Sequence, residues 1–280
     1  CRRFDSVQAH HFPPYRGKWE WQTCRKRARA NNFHGPPPVN IVLLETAEID
    51  RPLPLNDPRT RHIRKVLCRE IGDSFDVGEI NGPRGKATVT AIDESGLHFD
   101  FRWNQGHTHA SLIRLAIGFP RPQTARDVLR DATTLGVAEL SFVATTRSDP
   151  NYAGSSLWSD GEWRRQTITG AAQAFDTFLP AVHWHERLAE VLDRWSQEGV
   201  NAVALDLYDY SSTLAAHLKR NSDTPPNGIL IGPERGWDDA DRALLQSHHI
   251  PRLSLGDRVL RTETAVTVTL GLLHAAAVRA

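Results

Sequence analysis

The sequence predicts an α/β fold in which a small β-barrel precedes a larger domain built on a parallel sheet. Three observations predict it. The chain has 280 residues, which suits two domains of roughly 100–200 residues each. Short β-like segments joined by tight turns fill residues 74–102, as in a small barrel. From residue 113 onwards strands alternate with helices, as in a parallel sheet that is covered on both faces.

A basic segment precedes both predicted domains. Residues 1–38 contain eight arginines and lysines, but their acidic residues are only Asp5 and Glu20, and Pro36–Pro38 close the segment. Three interpretations remain open. The segment is a disordered basic arm that binds RNA, an arginine-rich targeting peptide, or an extension without a fold or function.

Residues 39–104 are predicted to form the barrel. Its strand-like segments are Val39–Leu44, Ser74–Ile80, Gly85–Ile92 and Leu97–Arg102. Arg61–Glu70 is predicted to be a helix with one apolar face. Arg61, Arg64 and Lys65 accompany that helix, and they are candidate RNA contacts or part of a solvated helix face.

Residues 103–110 are predicted to be a linker, and residues 111–280 the larger α/β domain. Its predicted strands are Ile113–Gly118, Leu140–Ala144, Val203–Leu207, Gly228–Ile231 and Leu253–Leu255. Its predicted helices are Ala125–Leu135, which Gly136 ends, Trp163–Ala174 and Thr264–Val278.

Composition narrows the possible functions. The net charge is +1, so any nucleic-acid contact must come from a local basic face. No apolar run approaches the ~20 residues that span a bilayer. The three cysteines are odd in number and contain no C-x-x-C pair, which favours a reducing compartment and predicts neither a disulfide framework nor a zinc site.

Several smaller motifs are interpreted as structural. His183-x-His185-Glu186 resembles a metal motif, but it is interpreted as a solvated helix start, and His248-His249 as a surface pair. Asp206, Tyr208 and Asp209 follow a strand and are interpreted as a plain loop, with pocket lining as the alternative. No phosphate-binding G-x-x-x-x-G-K-[ST] or G-x-G-x-x-G motif occurs.

Two loops after predicted strands carry the candidate site, because ligands of open α/β sheets bind beyond the carboxyl ends of the strands. The first loop is Ile231-Gly232-Pro233-Glu234-Arg235-Gly236-Trp237. Glycine lets a ligand approach the backbone, and proline fixes the loop shape. Such a loop suits an adenine or ribose edge. The alternative is a tight β-to-α connection with Glu234 as a helix cap.

The second loop runs from Ser254 to Thr264, into the last predicted helix. Thr262 is a candidate N-cap, and Glu263 then lies where the helix dipole favours a carboxylate. Cations are disfavoured at a helix N-terminus, so Arg258 and Arg261 are expected to face an anion, such as RNA phosphate or negative charge on a base.

Together these loops resemble the RsmE family. The resemblance is carried by Ile231-Gly232-Pro233-Glu234, Ser254-Leu255-Gly256 and Arg258-Val259-Leu260-Arg261-Thr262-Glu263-Thr264-Ala265, with weaker matches at Leu135-Gly136-Val137, Thr146-Arg147-Ser148, His62, Val66-Leu67 and Gly72-Asp73. It covers residues 39–280. Members of this family are uridine-N3 methyltransferases of small-subunit (16S) ribosomal RNA and belong to the SPOUT superfamily.

The resemblance implies a barrel similar to the PUA domain and a SPOUT-type parallel sheet that ends in a C-terminal trefoil knot. It implies homodimers that associate through the knot region, and a bent S-adenosylmethionine bound in the knot. The residues it implies for the donor pocket are Leu230, Ile231, Gly232, Pro233, Glu234, Gly236, Ser254, Leu255, Gly256, Val259, Leu260 and Arg261.

The function expected from this resemblance is methylation of uracil N3, without a metal, in an unpaired nucleotide. Arg261 is the candidate for stabilising the deprotonated base, and Glu263 the weaker candidate for general base. Arg61, Arg64, Lys65 and Arg147 are expected to contact ribosomal RNA or the small ribosomal subunit. The expected location is the cytoplasm without membrane association, with targeting to an organelle by residues 1–38 left open.

The sequence departs from the family pattern at three places. Arg235 stands where the family usually has a second glycine, which would cost about 1 kcal/mol if the position required positive φ. Thr134 replaces a glutamate, and the segment around Gln173 has lost a glutamate and an arginine. Two alternatives therefore stay open: methylation of another RNA position, and RNA binding without catalysis.

Overall fold

The structure, a computed structural model, describes residues 41–104 and 112–277. The basic segment 1–38 lies outside the described residues, as does most of the linker predicted at 103–110. Among the described helices, none is both long and apolar enough to cross a membrane.

A mixed four-stranded sheet forms the N-terminal part. Its strands, in sheet order, are β1 (Val42–Leu44), β2 (Ser74–Glu79), β3 (Arg84–Asp93) and β4 (Gly96–Trp103). β1 pairs with β2 in parallel, and the other two pairs are antiparallel. A bulge between Val89 and Ala91 shifts the register of β3 against β4, which bends the sheet. Alternate side chains such as Phe75 and Val77 are buried on the inner face, which confirms the barrel-like arrangement at this coarse level.

The helix predicted at Arg61–Glu70 has different boundaries. α1 (Pro58–Arg61) begins early because the Asp57 carboxylate accepts a hydrogen bond from the backbone N–H of Arg59 at 2.7 Å. It continues as a π-helical turn over His62–Val66 and ends there, since Cys68 has a left-handed backbone with φ 54°. Cys68 is also disulfide-bonded, so the expectation of reduced cysteines does not hold at this position.

The C-terminal part is built on a parallel sheet, as predicted. In sheet order, its seven described strands are β7 (Ala181–His185), β6 (Glu139–Val143), β5 (Arg114–Gly118), β10 (Gly228–Ile231), β8 (Ala202–Leu205), β11 (Arg252–Ser254) and β9 (Ser212–Thr213). Five of them lie at predicted positions, while β7 and β9 were not predicted. The strands that come late in the chain lie between earlier ones. β10 lies between β5 and β8, and β11 lies between β8 and β9.

Helices cover both faces of this sheet. They are α2 (Pro122–Thr134), α3 (Pro150–Ala153), α4 (Ser156–Ser159), α5 (Glu162–Gln173), α6 (Leu188–Gln197), α7 (Leu214–Arg220), α8 (Asp239–Ser247) and α9 (Thr262–Ala277). One apolar cluster joins α2 and α9 to the sheet around Leu115 and Ile229. A second joins α6 and α8 to the other face around Leu230. The prediction of a sheet covered on both faces is confirmed.

The motif His183-x-His185-Glu186 is not a helix start, as the sequence had suggested. His183 and His185 lie in β7, which pairs in parallel with β6, and Glu186 follows it. The sequence AVHWH contains two histidines and only partly buried or exposed side chains, and β7 pairs along the edge of β6.

Candidate functional site

The two predicted loops meet at one edge of the C-terminal sheet and enclose a cavity of about 270 Å3. The first loop follows β10 and the second follows β11, and a third loop after β8 lies beside them. Of the residues expected in the donor pocket, all line this cavity except Leu230, Ser254 and Arg261. Leu230 and Ser254 are buried behind it.

The cavity is also lined by residues outside the predicted donor set, of which Arg235, Trp237, Arg258 and Thr262 belong to the two predicted loops. The additional residues are Leu205, Asp206, Leu207, Tyr208, Arg235, Trp237, Arg258, Thr262 and Ala265. Asp206 and Tyr208 were interpreted as a plain loop, but the structure places both at the cavity. The signal available in the sequence was a pair of polar residues directly after an apolar strand, at the edge where ligands bind.

The first loop makes a tight turn that depends on glycine. The backbone N–H of Gly236 donates to the carbonyl of Pro233 at 2.7 Å, and Gly236 has φ 68°. A Cβ on Gly232 would lie 3.2 Å from the carbonyl carbon of Gly236. Arg235 does not have positive φ, so the arginine in place of the family's second glycine carries no backbone strain.

Contacts at both ends hold this loop against the sheet. Pro233 packs so closely over Gly118, at the end of β5, that a Cβ on Gly118 would lie 2.4 Å from Pro233 Cδ. The indole Nε1 of the buried Trp237 donates to the carbonyl of Leu205 at 2.8 Å. The loop is therefore fixed to β5 on one side and to β8 on the other.

Glu234 caps a helix, but it does not cap the helix that follows it. Its carboxylate accepts a hydrogen bond of 2.8 Å from the backbone N–H of Arg121, at the N-terminus of α2. The helix that follows, α8, is capped by Asp238 in a reciprocal capping box with Asp241. Glu234 thus links the first loop to the β5–α2 connection.

The second loop turns at Gly256, where φ is 112°, a value that L side chains rarely adopt. Val259, in the middle of the loop, is 78% exposed although it is apolar. α9 begins at Thr262 itself, so Arg261 rather than Thr262 is the residue that precedes the helix. The Arg261 carbonyl accepts the first helical hydrogen bond, from the N–H of Ala265.

Arg261 is largely exposed to solvent and lies near a carboxylate of the same loop. Its side chain is 87% exposed, and its Nη1 lies 3.9 Å from a carboxylate oxygen of Glu263. It makes no ion pair with Glu234 or Asp257, so it does not brace the loop. Since α9 directs its positive dipole end at this guanidinium, the position is electrostatically poor unless an anion binds there.

The third loop is fixed by a buried ion pair. Arg242 Nε donates to Asp206 Oδ2 at 2.7 Å, and the backbone N–H of Tyr208 donates to Asp206 Oδ1 at 2.9 Å. Burial alone would raise the pKa of Asp206. The hydrogen bonds from Arg242 and from the backbone outweigh burial and hold the pKa below its usual value. Asp206 therefore lines the cavity as a carboxylate.

The expected RNA contacts fall into two groups. Arg147 is exposed, and its Nη1 donates to the Arg235 carbonyl at 2.9 Å, so it lies beside the first loop. Arg61, Arg64 and Lys65 are exposed on α1 and its π-helical extension, in the N-terminal part. Within the described part of the chain, none of these three forms an ion pair.

The segment that departs from the family pattern packs between the two sheets. The backbone N–H of Ile41 donates to the carbonyl of Ala172 at 3.3 Å, and Ala171 is fully buried. The hydroxyl of Thr134 donates to the Gly170 carbonyl at 3.1 Å, which joins α2 to α5. Thr134 thus has a structural partner in this protein. Across residues 41–104 and 112–277, no group of three acidic, histidine or cysteine residues could hold a metal ion.

Comparison with known proteins agrees with this geometry. The sequence profile of the RNA methyltransferase domain matches residues 108–274. The ribosomal RNA small subunit methyltransferase E of Treponema pallidum is 31% identical, over 81% of this chain and 87% of its own length. The corresponding enzyme 1 of Borreliella burgdorferi is 25% identical, over 81% of this chain and 94% of its own length.

Solved structures share the fold. The crystal structure of a ribosomal RNA small subunit methyltransferase E from Neisseria gonorrhoeae, bound to S-adenosyl methionine, superposes with a TM-score of 0.67 at 18% identity. The superposition covers 85% of this chain and 98% of that chain. The domain match and the sequence identity to the Treponema enzyme show that this chain is an RNA methyltransferase. It belongs to the family of ribosomal RNA small subunit methyltransferase E.

Proposed function

We propose that this protein transfers a methyl group from S-adenosylmethionine to N3 of a uridine in small-subunit (16S) ribosomal RNA. The observation that carries the proposal is the meeting of the two motif loops around one cavity, at the edge of the sheet where α/β proteins bind ligands. Family membership supplies the reaction type.

The cavity fits the methyl donor in its chemistry. Gly232 and Gly256 line it without side chains of their own, which leaves backbone groups accessible to a ligand, and Leu255 and Leu260 add apolar surface. We assign Ile231, Pro233, Glu234, Gly236 and Val259 to the same pocket. S-adenosylmethionine supplies an electrophilic methyl group when bound.

The chain's own residues must handle a proton and a negative charge. Methylation at N3 requires loss of the N3 proton, and the remaining negative charge spreads over the two carbonyl oxygens of uracil. The exposed guanidinium of Arg261 can donate directed hydrogen bonds to such an edge. Glu263, whose carboxylate lies beside Arg261, is the candidate to accept the proton.

We further propose a C-terminal trefoil knot and a homodimer that associates through it. The knot is supported by β10 and β11, which lie between strands that precede them in the chain. The dimer is supported by the exposed face of α9, where Thr264, Thr267, Val268 and Gly271 carry no charge. In this proposal residues 39–104 are a PUA-like RNA-binding domain, residues 111–280 the catalytic domain, and the cytoplasm the site of action unless residues 1–38 direct the protein elsewhere.

The proposal is tested by incubating the protein with S-adenosylmethionine and unmethylated small ribosomal subunits, followed by mass-spectrometric mapping of the RNA. We expect one uridine to gain a methyl group on N3. A methyl group on another atom or nucleotide would point to a different RNA position, as the departures around Gln173 leave open. Binding of RNA without any methyl transfer would identify a silent RNA-binding protein and overturn the proposal.

A further inference from the structure

A second cavity lies at the same edge of the sheet as the proposed donor pocket. It has a volume of about 590 Å3. Phe119, Ala144 and His185 line it, and these residues lie at or directly after the carboxyl ends of β5, β6 and β7. The donor pocket lies beyond the ends of β10, β8 and β11, so the two cavities are side by side along one edge.

Two tryptophans, Trp158 and Trp184, are among the residues that line this second cavity. Trp184 is 42% exposed although its ring is large and apolar. Trp158 and Trp163 contact it edge-to-face, with ring centroids 5.7 and 5.3 Å away. No described ring therefore stacks in parallel on Trp184. Exposed aromatic rings of this kind are the surfaces on which unpaired nucleobases stack.

Two buried polar atoms in the cavity wall have no hydrogen-bond partner within the described residues. They are the hydroxyl of Ser155 and the Nε2 of His185. Ser155 directly precedes α4, yet its side chain does not cap that helix. A buried polar atom without a partner is unfavourable, so a ligand that supplies donors and acceptors would be favoured here.

The charges of the residues that line the second cavity favour a nucleobase over a phosphate group as its ligand. Glu186 is the charged residue among those that line the cavity, and it would repel phosphate. Burial lowers the pKa of His185, and the nearby positive charge of Arg194 lowers it further, which favours the neutral imidazole. A neutral imidazole and a carboxylate can both hydrogen-bond the edge of a base.

Arg147 connects the two cavities. It lies three residues after Ala144 of the second cavity, and its guanidinium bonds the Arg235 carbonyl of the first. The side chain is exposed, so it is available to a phosphate group between two nucleotides that enter neighbouring cavities.

We propose that this cavity binds a second unpaired nucleobase of the substrate RNA, stacked on Trp184, while the target nucleotide lies in the neighbouring pocket. The inference rests on the proposed function only in taking RNA as the substrate. A target base displaced from its helix leaves its neighbours without regular stacking, and an aromatic surface replaces the contacts they lose.

The test measures binding of a fluorescein-labelled single-stranded oligouridylate by anisotropy. Trp184→Ala should weaken binding about tenfold, and Trp184→Phe, which keeps an aromatic ring, should stay close to the unaltered protein. Tyr210→Ala is the matched control, because Tyr210 is also 42% exposed but lies outside both cavities. Oligouridylate should also quench part of the tryptophan fluorescence of the unaltered protein, and Trp184→Phe should remove that part.

Two further measurements separate the possible outcomes. Calorimetry with S-adenosylmethionine should give the same affinity for all variants, which shows that the donor pocket is intact and the protein folded. Equal oligouridylate affinity for Trp184→Ala and the unaltered protein, or quenching that is as strong in Trp184→Phe as in the unaltered protein, would overturn the inference. Loss of binding in Trp184→Ala together with an absence of methyl transfer by the unaltered protein would refute the proposed function and leave the base subsite standing.

Discussion

At the scale of single residues, Gly232 sets the shape of the proposed donor pocket. A Cβ there would lie 3.2–3.3 Å from the backbone of Gly236 and the ring of Trp237. Gly232→Val adds further methyl groups, so we expect it to displace the turn and remove measurable S-adenosylmethionine binding in calorimetry. Gly232→Ala, which needs a shift of only a few tenths of an ångström, should retain weaker binding.

The difference in S-adenosylmethionine binding between Gly232→Val and Gly232→Ala tests this assignment. Both variants should unfold cooperatively on heating, since the position lies in a loop. If Gly232→Val binds the donor as tightly as the unaltered protein, the pocket has been assigned to the wrong loops.

Arg261 is expected to act on the reacting base rather than on the donor. It is exposed and lies outside the cavity lining, so little donor binding depends on it. Arg261→Lys keeps the charge but loses the planar donor geometry. We expect donor affinity to persist and the rate of methyl transfer to fall roughly 10²-fold, as for loss of an oxyanion donor. Single-turnover kinetics with saturating donor and RNA measure this rate.

Arg220 provides a control for the change from arginine to lysine itself. It is exposed on α7 and hydrogen-bonded to Ser212. Arg220→Lys should leave the rate unchanged. A near-normal rate for Arg261→Lys would show that another residue stabilises the negative charge on the base.

At the scale of elements, the π-helical extension of α1 is expected to contact RNA phosphate. Arg61 at the end of α1 and Arg64 and Lys65 in the extension are exposed, and they have no ion-pair partner in the part of the chain that the structure describes. Replacing Arg61, Arg64 and Lys65 together with alanine should weaken RNA binding. It should also lower the slope of log affinity against log salt by about 0.7 for each lost contact to single-stranded RNA.

Lys86 offers the matched control for this element. It is exposed in the same N-terminal part but already pairs with Asp76 at 2.7 Å. Lys86→Ala should leave the salt slope unchanged. An unaltered slope in the triple variant would make the three cations an ordinary solvated face.

The contact between α8 and the β8 loop is expected to depend on pH. Since the pKa of Asp206 is lower in the folded protein than in the unfolded chain, its stabilising contribution is complete above roughly pH 4. The contribution is lost as the pH falls through the folded pKa. Asp206→Asn leaves Arg242 largely buried without its partner, so we expect a loss of about 3 kcal/mol at pH 7.

Urea unfolding at pH 7 and pH 3 measures this difference. The gap between Asp206→Asn and the unaltered protein should narrow at the lower pH. Asp239→Asn is the control, because Asp239 also lies near Arg242 but is fully exposed, and it should change stability little. A gap that does not change with pH would show that the pair does not titrate as argued.

Elements with strong periodicity could be predicted from the sequence, and the others depended on tertiary contacts. The strand Gly228–Ile231 is four apolar residues in a row, and it lies where it was predicted. β7 was not predicted, because two of its five residues are histidines and its pairing partner β6 is about forty residues away in sequence. The helices α6, α7 and α8 were also missed.

The site was predictable where it is contiguous in sequence. The two motif loops contain most of the cavity lining, so matching the motifs located them. The β8 loop belongs to the site only because β8 lies beside β10 and β11 in the sheet. That neighbourhood follows from strand order, which no local pattern in the sequence indicates.

At the scale of the whole molecule, the uncharged face of α9 is expected to join two copies of the chain. Val268, which is 38% exposed, lies on that face. Val268→Glu would bury a charge in the proposed interface, so we expect a shift from dimer to monomer in sedimentation velocity and reduced methyl transfer. Ala243→Glu places the same charge on the exposed side of α8 and should remain dimeric. A dimer that tolerates Val268→Glu would locate the interface elsewhere.

The fixed ends of the first loop determine how the pocket meets its ligand. Pro233 over Gly118, the Trp237–Leu205 bond and the Arg121–Glu234 bond hold this segment in one conformation before anything binds. A chain segment that is already ordered gives up little conformational entropy on binding. Little of the free energy gained from contacts with the ligand is therefore spent on ordering the first loop. Association with the ligand also does not wait for a slow rearrangement of this loop.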